Sequence, residues 1–321
     1  MKNTQIQLFR ALAIIAVVMI HTTPYGLNVV CRPFINFSVA LFLFLSGYLT
    51  KIENTNWLGF YRKRILRVLI PYIIWTIIYS LQSIQSWDGK ALLFNILTTK
   101  SAAHLYYISV YIQFVLLTPL LGKLAKSKYR HIGWIIAPIS IIIFKYSQFI
   151  NGVESNRIIS LMWSIACLGW LTFYYLGLLL GNHIIELNYS LKKLTLLYVL
   201  SILIQMIEGY IWLKLGDING GSQLKLSSLL SSSIFLIITY SLLERRKFDV
   251  DRYKFMCVIG NYSFGIYLCH VLILKLLYRT HYFGCIPYPF TSILVVVLSF
   301  TFCYIVDKVC GKQLSRWLGI R

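Results

Sequence analysis

The stretch LFRALAIIAVVMIHTTPY, residues 8–25, decides the fold. Between Arg10 and His21 every residue is apolar, and no proline interrupts the run until Pro24. A helix crossing the hydrocarbon core of a bilayer needs about 20 mostly apolar residues, and residues 6–26 supply that length with one charge near the start. The same pattern recurs along the chain at residues 34–50, 68–86, 104–121, 132–150, 158–181, 194–215, 226–243, 255–277 and 288–307. These runs are continuously apolar. A transmembrane β-barrel would instead alternate lipid-facing apolar with inward polar positions. The expected fold is therefore all-α: one polytopic transmembrane helical bundle of about ten spans over residues 1–321, with both termini on the same side.

Composition excludes the other classes. Of 321 residues, 58% are hydrophobic and 13% charged, where a soluble domain carries about 25% charged residues. So apolar a chain is not disordered. The net charge of +21 does not imply nucleic-acid binding, which needs basic side chains on a wet, charge-rich surface. The charge is topological: with the N-terminus inside, 21 of the 31 Lys and Arg fall in cytosolic segments, as the positive-inside rule favours. The first span lacks a small-residue cleavage site, so it reads as a span and not as a signal peptide. Seven cysteines include no CxxC pair and no zinc-like spacing, and no metal site is expected. Cys31 and Cys285 share the outer side in this topology. No internal repeat is visible, which weighs against a transporter, since many transporters carry inverted repeats.

Arg10 and His21 carry the first chemical signal. Eleven helical steps rotate the chain only about 20° past three full turns, so the two side chains share one helix face, about 16.5 Å apart along the axis. Ionisable groups inside a span cost about 2.5–3.5 kcal/mol on insertion scales and mark functional sites by default. The bland alternative has Arg10 snorkelling to the inner headgroups and His21 wetted at the outer interface. A second signal is FYRKRILRVLIPY (60–72), read as a cytosolic loop leading into the third span. Its Arg62, Arg64 and Arg67 suit phosphate oxygens, because a guanidinium presents a planar fork of donors, although such clusters also fix topology and touch anionic lipid. His104, beside Tyr106 and Tyr107, is a candidate contact for an acceptor, as is Glu154 with Arg157 in an outer loop. His270 reads as a hydrogen-bonded packing residue, Glu208 as a partner for a cation or a histidine, and Ser46 with Gly47 as a point of close helix approach.

These segments together resemble the acyltransferase family 3 membrane proteins. The resemblance lies in Arg10 and His21 of the first span, LFLFLSGYL (41–49), YRKRILRVLIPY (61–72), HLYYISVYIQFVLLTPLL (104–121) and YSFGIYLCHVLIL (262–274). It implies ten spans and transfer of an acyl group, acetyl foremost, from cytosolic acyl-coenzyme A to a hydroxyl of a bacterial surface glycan. The family's functional histidine falls on His21 and its partner cation on Arg10. The arginine motif falls on Arg62 and Arg64, with Arg67 following, as the holders of coenzyme A. His104, Tyr107 and Glu154 stand toward the acceptor. The implied partners are acetyl-CoA or another acyl-CoA, a saccharide or lipid-linked saccharide, and membrane lipid, with no tightly bound cofactor and no nucleic acid. The implied location is the bacterial cytoplasmic (inner) membrane. Larger members append an extracytoplasmic domain, whereas about 14 residues follow the tenth span here; direct transfer to a lipid-linked or short saccharide is the expectation. Two rival classes share the same spans: a glycolipid or polysaccharide transporter, and a subunit of a glycan export machine.

Overall fold

The computed structural model describes residues 2–53, 56–82, 89–146, 166–216, 220–245, 251–280 and 286–320. Those residues form helices and turns, with no strand among them. In chain order the helices are α1 (Lys2–Thr22), α2 (Asn28–Cys31), α3 (Phe37–Tyr48), α4 (Trp57–Leu81), α5 (Gly89–Thr98), α6 (Tyr106–Lys126) and α7 (Ile132–Ile141). Then follow α8 (Leu171–Gly181), α9 (Leu191–Lys214), α10 (Leu226–Arg245), α11 (Lys254–Asn261), α12 (Ser263–Tyr278), α13 (Phe290–Val309) and α14 (Gly311–Trp317).

Seven helical stretches are long and apolar enough to cross a membrane: Thr4–Thr22, Tyr25–Tyr48, Trp57–Leu81, Ala103–Lys126, Leu191–Lys214, Leu226–Glu244 and Phe290–Val309. Helices α11 and α12 qualify as an eighth only when joined, and they meet at 74°. The fifth and sixth spans expected from sequence correspond to shorter apolar helices, Ile132–Tyr146 and Leu168–Gly181, and the chain between those two lies outside the described residues. About ten spans were expected; the described residues hold seven full-length helices, one broken pair and three shorter apolar helices, of which Gly89–Thr98 matches no expected span. The protein is a multi-pass membrane bundle.

The arginine-rich segment is not a loop. Asn56 begins α4 by accepting a hydrogen bond from the Gly59 backbone N–H at 3.2 Å, which satisfies one of the orphan donors of the first turn. Arg62, Arg64 and Arg67 therefore stand on the first turns of one continuous helix that runs on into the membrane.

Helix α1 is the central stave, packed against α3, α11, α12 and α13. Small residues make this possible: Ala11, Ala13 and Ala16 are buried. Near its N-terminal end a Cβ on Gly260 of α11 would lie 1.9 Å from the Gln7 carbonyl oxygen. The tightest pair is α3 with α8. A Cβ at Gly47 would sit 2.2 Å from Tyr174 O, one at Gly177 2.1 Å from Phe44 O, and one at Gly181 2.1 Å from Tyr48 O. Three glycines thus let the two backbones touch, the small-residue mode of association that lipid favours.

Away from this core, α9 leaves Leu196 and Ile207 about three-fifths exposed, as a lipid-facing helix does. Its one acid, Glu208, accepts from the Tyr146 hydroxyl, from Trp212 Nε1 at 3.1 Å and from the Ser227 N–H at 3.1 Å. Lys225, fully buried nearby, donates to Gly220 O at 2.5 Å. This is a satisfied internal clamp, so Glu208 orients no histidine.

Candidate active site

Three histidines from distant parts of the sequence converge inside the bundle. His21 comes from the last turn of α1, His104 from the 3-10 turn Ala103–Leu105 that opens α6, and His270 from the middle of α12. Their ring centroids are 5.1 Å apart for His21 and His270, 4.9 Å for His104 and His270, and 6.1 Å for His21 and His104. Among the described residues no group of His, Cys, Asp and Glu has the geometry to hold a metal ion.

The proton on His270 is assigned by its neighbours. Its Nδ1 lies 2.7 Å from Tyr267 O and 3.1 Å from Ile266 O. Carbonyl oxygens only accept, so Nδ1 carries the hydrogen, and in the neutral ring Nε2 holds a lone pair. That Nε2 is buried without a partner. Leaving a buried polar atom unbonded costs about 1–3 kcal/mol, and such orphans are tolerated where a site is built to receive a polar group. His21 differs from His104 and His270. It is only half-buried, so part of its surface stays accessible. Tyrosines complete the cluster. Tyr79 donates to Leu268 O at 2.8 Å and accepts from the Leu272 N–H at 3.1 Å, with its ring 5.4 Å from His104. Tyr267 donates to the His104 carbonyl.

At the other end of α1 the structure brings cations together. Arg10, half-buried, makes a 3.4 Å hydrogen bond to Gln7 Oε1. The charged and titratable side chains that face it are Arg67, Tyr107 and Tyr111, with no carboxylate among them. Arg64 donates to Ser46 Oγ at 3.3 Å, lies 4.9 Å over the Phe60 ring and faces Tyr174. Arg64 and Arg67, three residues apart, share a helix face, whereas Arg62, two residues before Arg64, is turned about 200° away; Arg64 is half-buried, and Arg62 and Arg67 are exposed.

Between the two ends runs a strip of half-buried tyrosines. Tyr107 has its ring 5.5 Å from Tyr267 and 6.3 Å from Tyr111. Tyr107, expected toward the acceptor, faces Arg10 and stands beside Tyr267 next to the histidines, and His104, a candidate acceptor contact, is fully buried. Glu154 and Arg157 lie outside the described residues, as does Cys285. Two residues beside His21 were not singled out for chemistry by the sequence: His270, which comes from a helix distant in the chain, and Arg32, a cation in the connection after the first span.

Searches of the curated proteins and of the solved structures return no match. The family model described as an acyltransferase domain, that of acyltransferase family 3, matches residues 3–308, and the chain belongs to that family of acyltransferases.

Proposed function

We propose that this protein is a membrane O-acyltransferase of the bacterial cytoplasmic membrane, moving an acyl group, acetyl foremost, from cytosolic acyl-CoA to a hydroxyl of a surface or lipid-linked saccharide. The observation that carries the reading is His21, half-buried and with its ring 5.1 Å from that of His270, whose Nε2 lone pair is buried without a partner.

A sugar hydroxyl is a weak nucleophile, and a histidine of ordinary pKa near 6.5 is suited to take its proton. His21 accepts that proton as the hydroxyl oxygen attacks the thioester carbonyl. The new C–O bond forms, the C–S bond breaks, and the proton passes from His21 to the departing coenzyme A thiolate. His270, its Nε2 lone pair unused and its ring 5.1 Å from that of His21, stands ready to accept the His21 N–H once substrate is bound, which would hold His21 in the tautomer whose other nitrogen faces the substrate, the logic of a base oriented by a third group.

Arg10 serves the donor and not the reacting carbonyl. It stands about 16.5 Å from His21 along the axis, and helical side chains lean toward the N-terminus, so Arg10 leans away. Arg10 and Arg67, two guanidinium groups facing each other without an acid, fit phosphate oxygens of coenzyme A. Arg64 adds a third donor fork, and the tyrosine strip lies along the route of the pantetheine arm to His21. The test uses membranes containing the protein, radiolabelled acetyl-CoA and total surface glycan. Label accumulates on the glycan with the native protein and falls to background with His21→Ala at equal expression; substantial label with His21→Ala would sink the assignment.

A further inference from the structure

Beyond the histidines, on the side away from Arg64 and Arg67, stands a cation that the proposed chemistry has not used. Arg32 begins the 3-10 turn Arg32–Phe34. Its Nη2 donates to Ile20 O at 3.2 Å, the carbonyl just before His21, and its charge acts directly on His21. Its Nε is buried without a partner. The titratable side chains facing it are Tyr106 and Tyr25, and no carboxylate is among them. Its stem crosses Gly221, where a Cβ would fall 2.9 Å from Arg32 Cδ, so the backbone there is shaped to let the side chain lie across it.

Of five N–H donors, one is engaged and the one on Nε is buried without a partner, and the residue is half-buried. A half-buried cation with no counter-charge among the described residues is costly. Two tyrosines face it: Tyr25, which is 63% exposed, and Tyr106, whose ring stacks on Trp170 at 6.0 Å. Apolar sugar faces stack on such rings, while a guanidinium fork receives a carboxylate or phosphate in bidentate fashion.

We infer that Arg32 binds an anionic group of the acceptor, so that the acceptor glycan is acidic or phosphate-bearing and is held with its hydroxyl toward His21. This rests on His21 being the site of acyl transfer. It names the acceptor class and adds a specificity residue at the far end of the path.

The experiment uses the full-length protein in lipid nanodiscs and three probes: a glucuronosyl-glucose disaccharide, the same disaccharide with its carboxyl reduced to the alcohol, and glucose on a short isoprenyl phosphate. Binding is followed by ligand-observed NMR without donor, and acyl transfer is followed separately with labelled acetyl-CoA. The native protein is expected to favour at least one anionic probe over the neutral one by about tenfold or more. Arg32→Gln abolishes that preference, leaves the weak neutral binding unchanged and leaves the KM for acetyl-CoA unchanged, while Arg32→Lys keeps part of the preference. Preference for the carboxylate probe assigns the anion to an acidic sugar, and preference for the phosphate probe assigns it to a lipid carrier. Equal binding of charged and neutral probes by the native protein, or equal loss of both in Arg32→Gln, overturns the inference. Anion-selective binding that depends on Arg32 but is followed by no transfer to any probe would leave the anion site standing and count against the acyltransferase reading.

Discussion

His270 has two properties that seldom coincide: its Nδ1 is tied to two carbonyl oxygens, and its Nε2 is buried and unbonded 5.1 Å, centroid to centroid, from His21. A packing histidine needs only the first. If His270 orients His21, His270→Ala lowers kcat by about 100-fold, the lower end of what acid–base assistance supplies, with the KM for acetyl-CoA unchanged. His270→Gln, which can still accept from His21, recovers part of that loss. Steady-state kinetics on both variants decides it, since a purely structural role would lower folded yield without separating kcat from KM. The first half of this site was legible in the sequence. Arg10 and His21 share a face because eleven helical steps nearly close three turns, a statement about one helix. His104 and His270 meet His21 through packing between distant helices, and no periodicity encodes such a meeting. Arg62, Arg64 and Arg67 were legible as a group, but only the helical state of residues 57–81 separates Arg62 from the other two.

Helices in lipid gain little from burying apolar side chains against each other, so close backbone approach carries much of the association. The α3–α8 contact is the clearest case, and it sets Ser46 beside Arg64 and Tyr174 beside Thr118, whose hydroxyls lie 2.8 Å apart. Gly177→Ala would gain about 1 kcal/mol of helix propensity. It would also force a Cβ to 2.1 Å from the Phe44 carbonyl oxygen, and overpacking of this kind costs about 1–3 kcal/mol. The overlap is with backbone and not with a flexible side-chain end, so the clash wins: Gly177→Ala should lower the melting temperature in detergent. Gly26→Ala, where a Cβ meets nothing within 4 Å, should leave it unchanged. An unchanged melting temperature for Gly177→Ala would refute this account of the contact. The sequence flagged Gly47 as a small residue in an apolar run, but not Gly177 as its neighbour across the interface. Spans were legible wherever apolar length was unbroken. The 74° bend between α11 and α12 was not, because YSFGIYLCHVLIL reads as part of one uniform apolar stretch.

At the scale of the whole molecule the two ends of α1 have different jobs. Arg10, Arg64 and Arg67 gather at one end, and His21 with Arg32 stands at the other. The separation of about 16.5 Å between Arg10 and His21 is more than half of the roughly 30 Å hydrocarbon core. Coenzyme A, with several phosphates, does not cross that core, whereas its slender pantetheine arm can extend along the tyrosine strip. The bundle should therefore carry out transfer across the membrane, with the donor held on the side where Lys and Arg are dense and the acceptor reached from the opposite side. Sealed vesicles test this. With glycan trapped inside inside-out vesicles, acetyl-CoA added to the bath faces the arginine end, and label should appear on the lumenal glycan. With right-side-out vesicles and glycan in the bath, acetyl-CoA added to the same bath should give no label until detergent opens the membrane or the donor is loaded into the lumen. Equal labelling of both preparations, with the vesicles shown to be sealed, would mean that donor and acceptor meet on one side. The separation of charge along α1 would then be a matter of insertion alone.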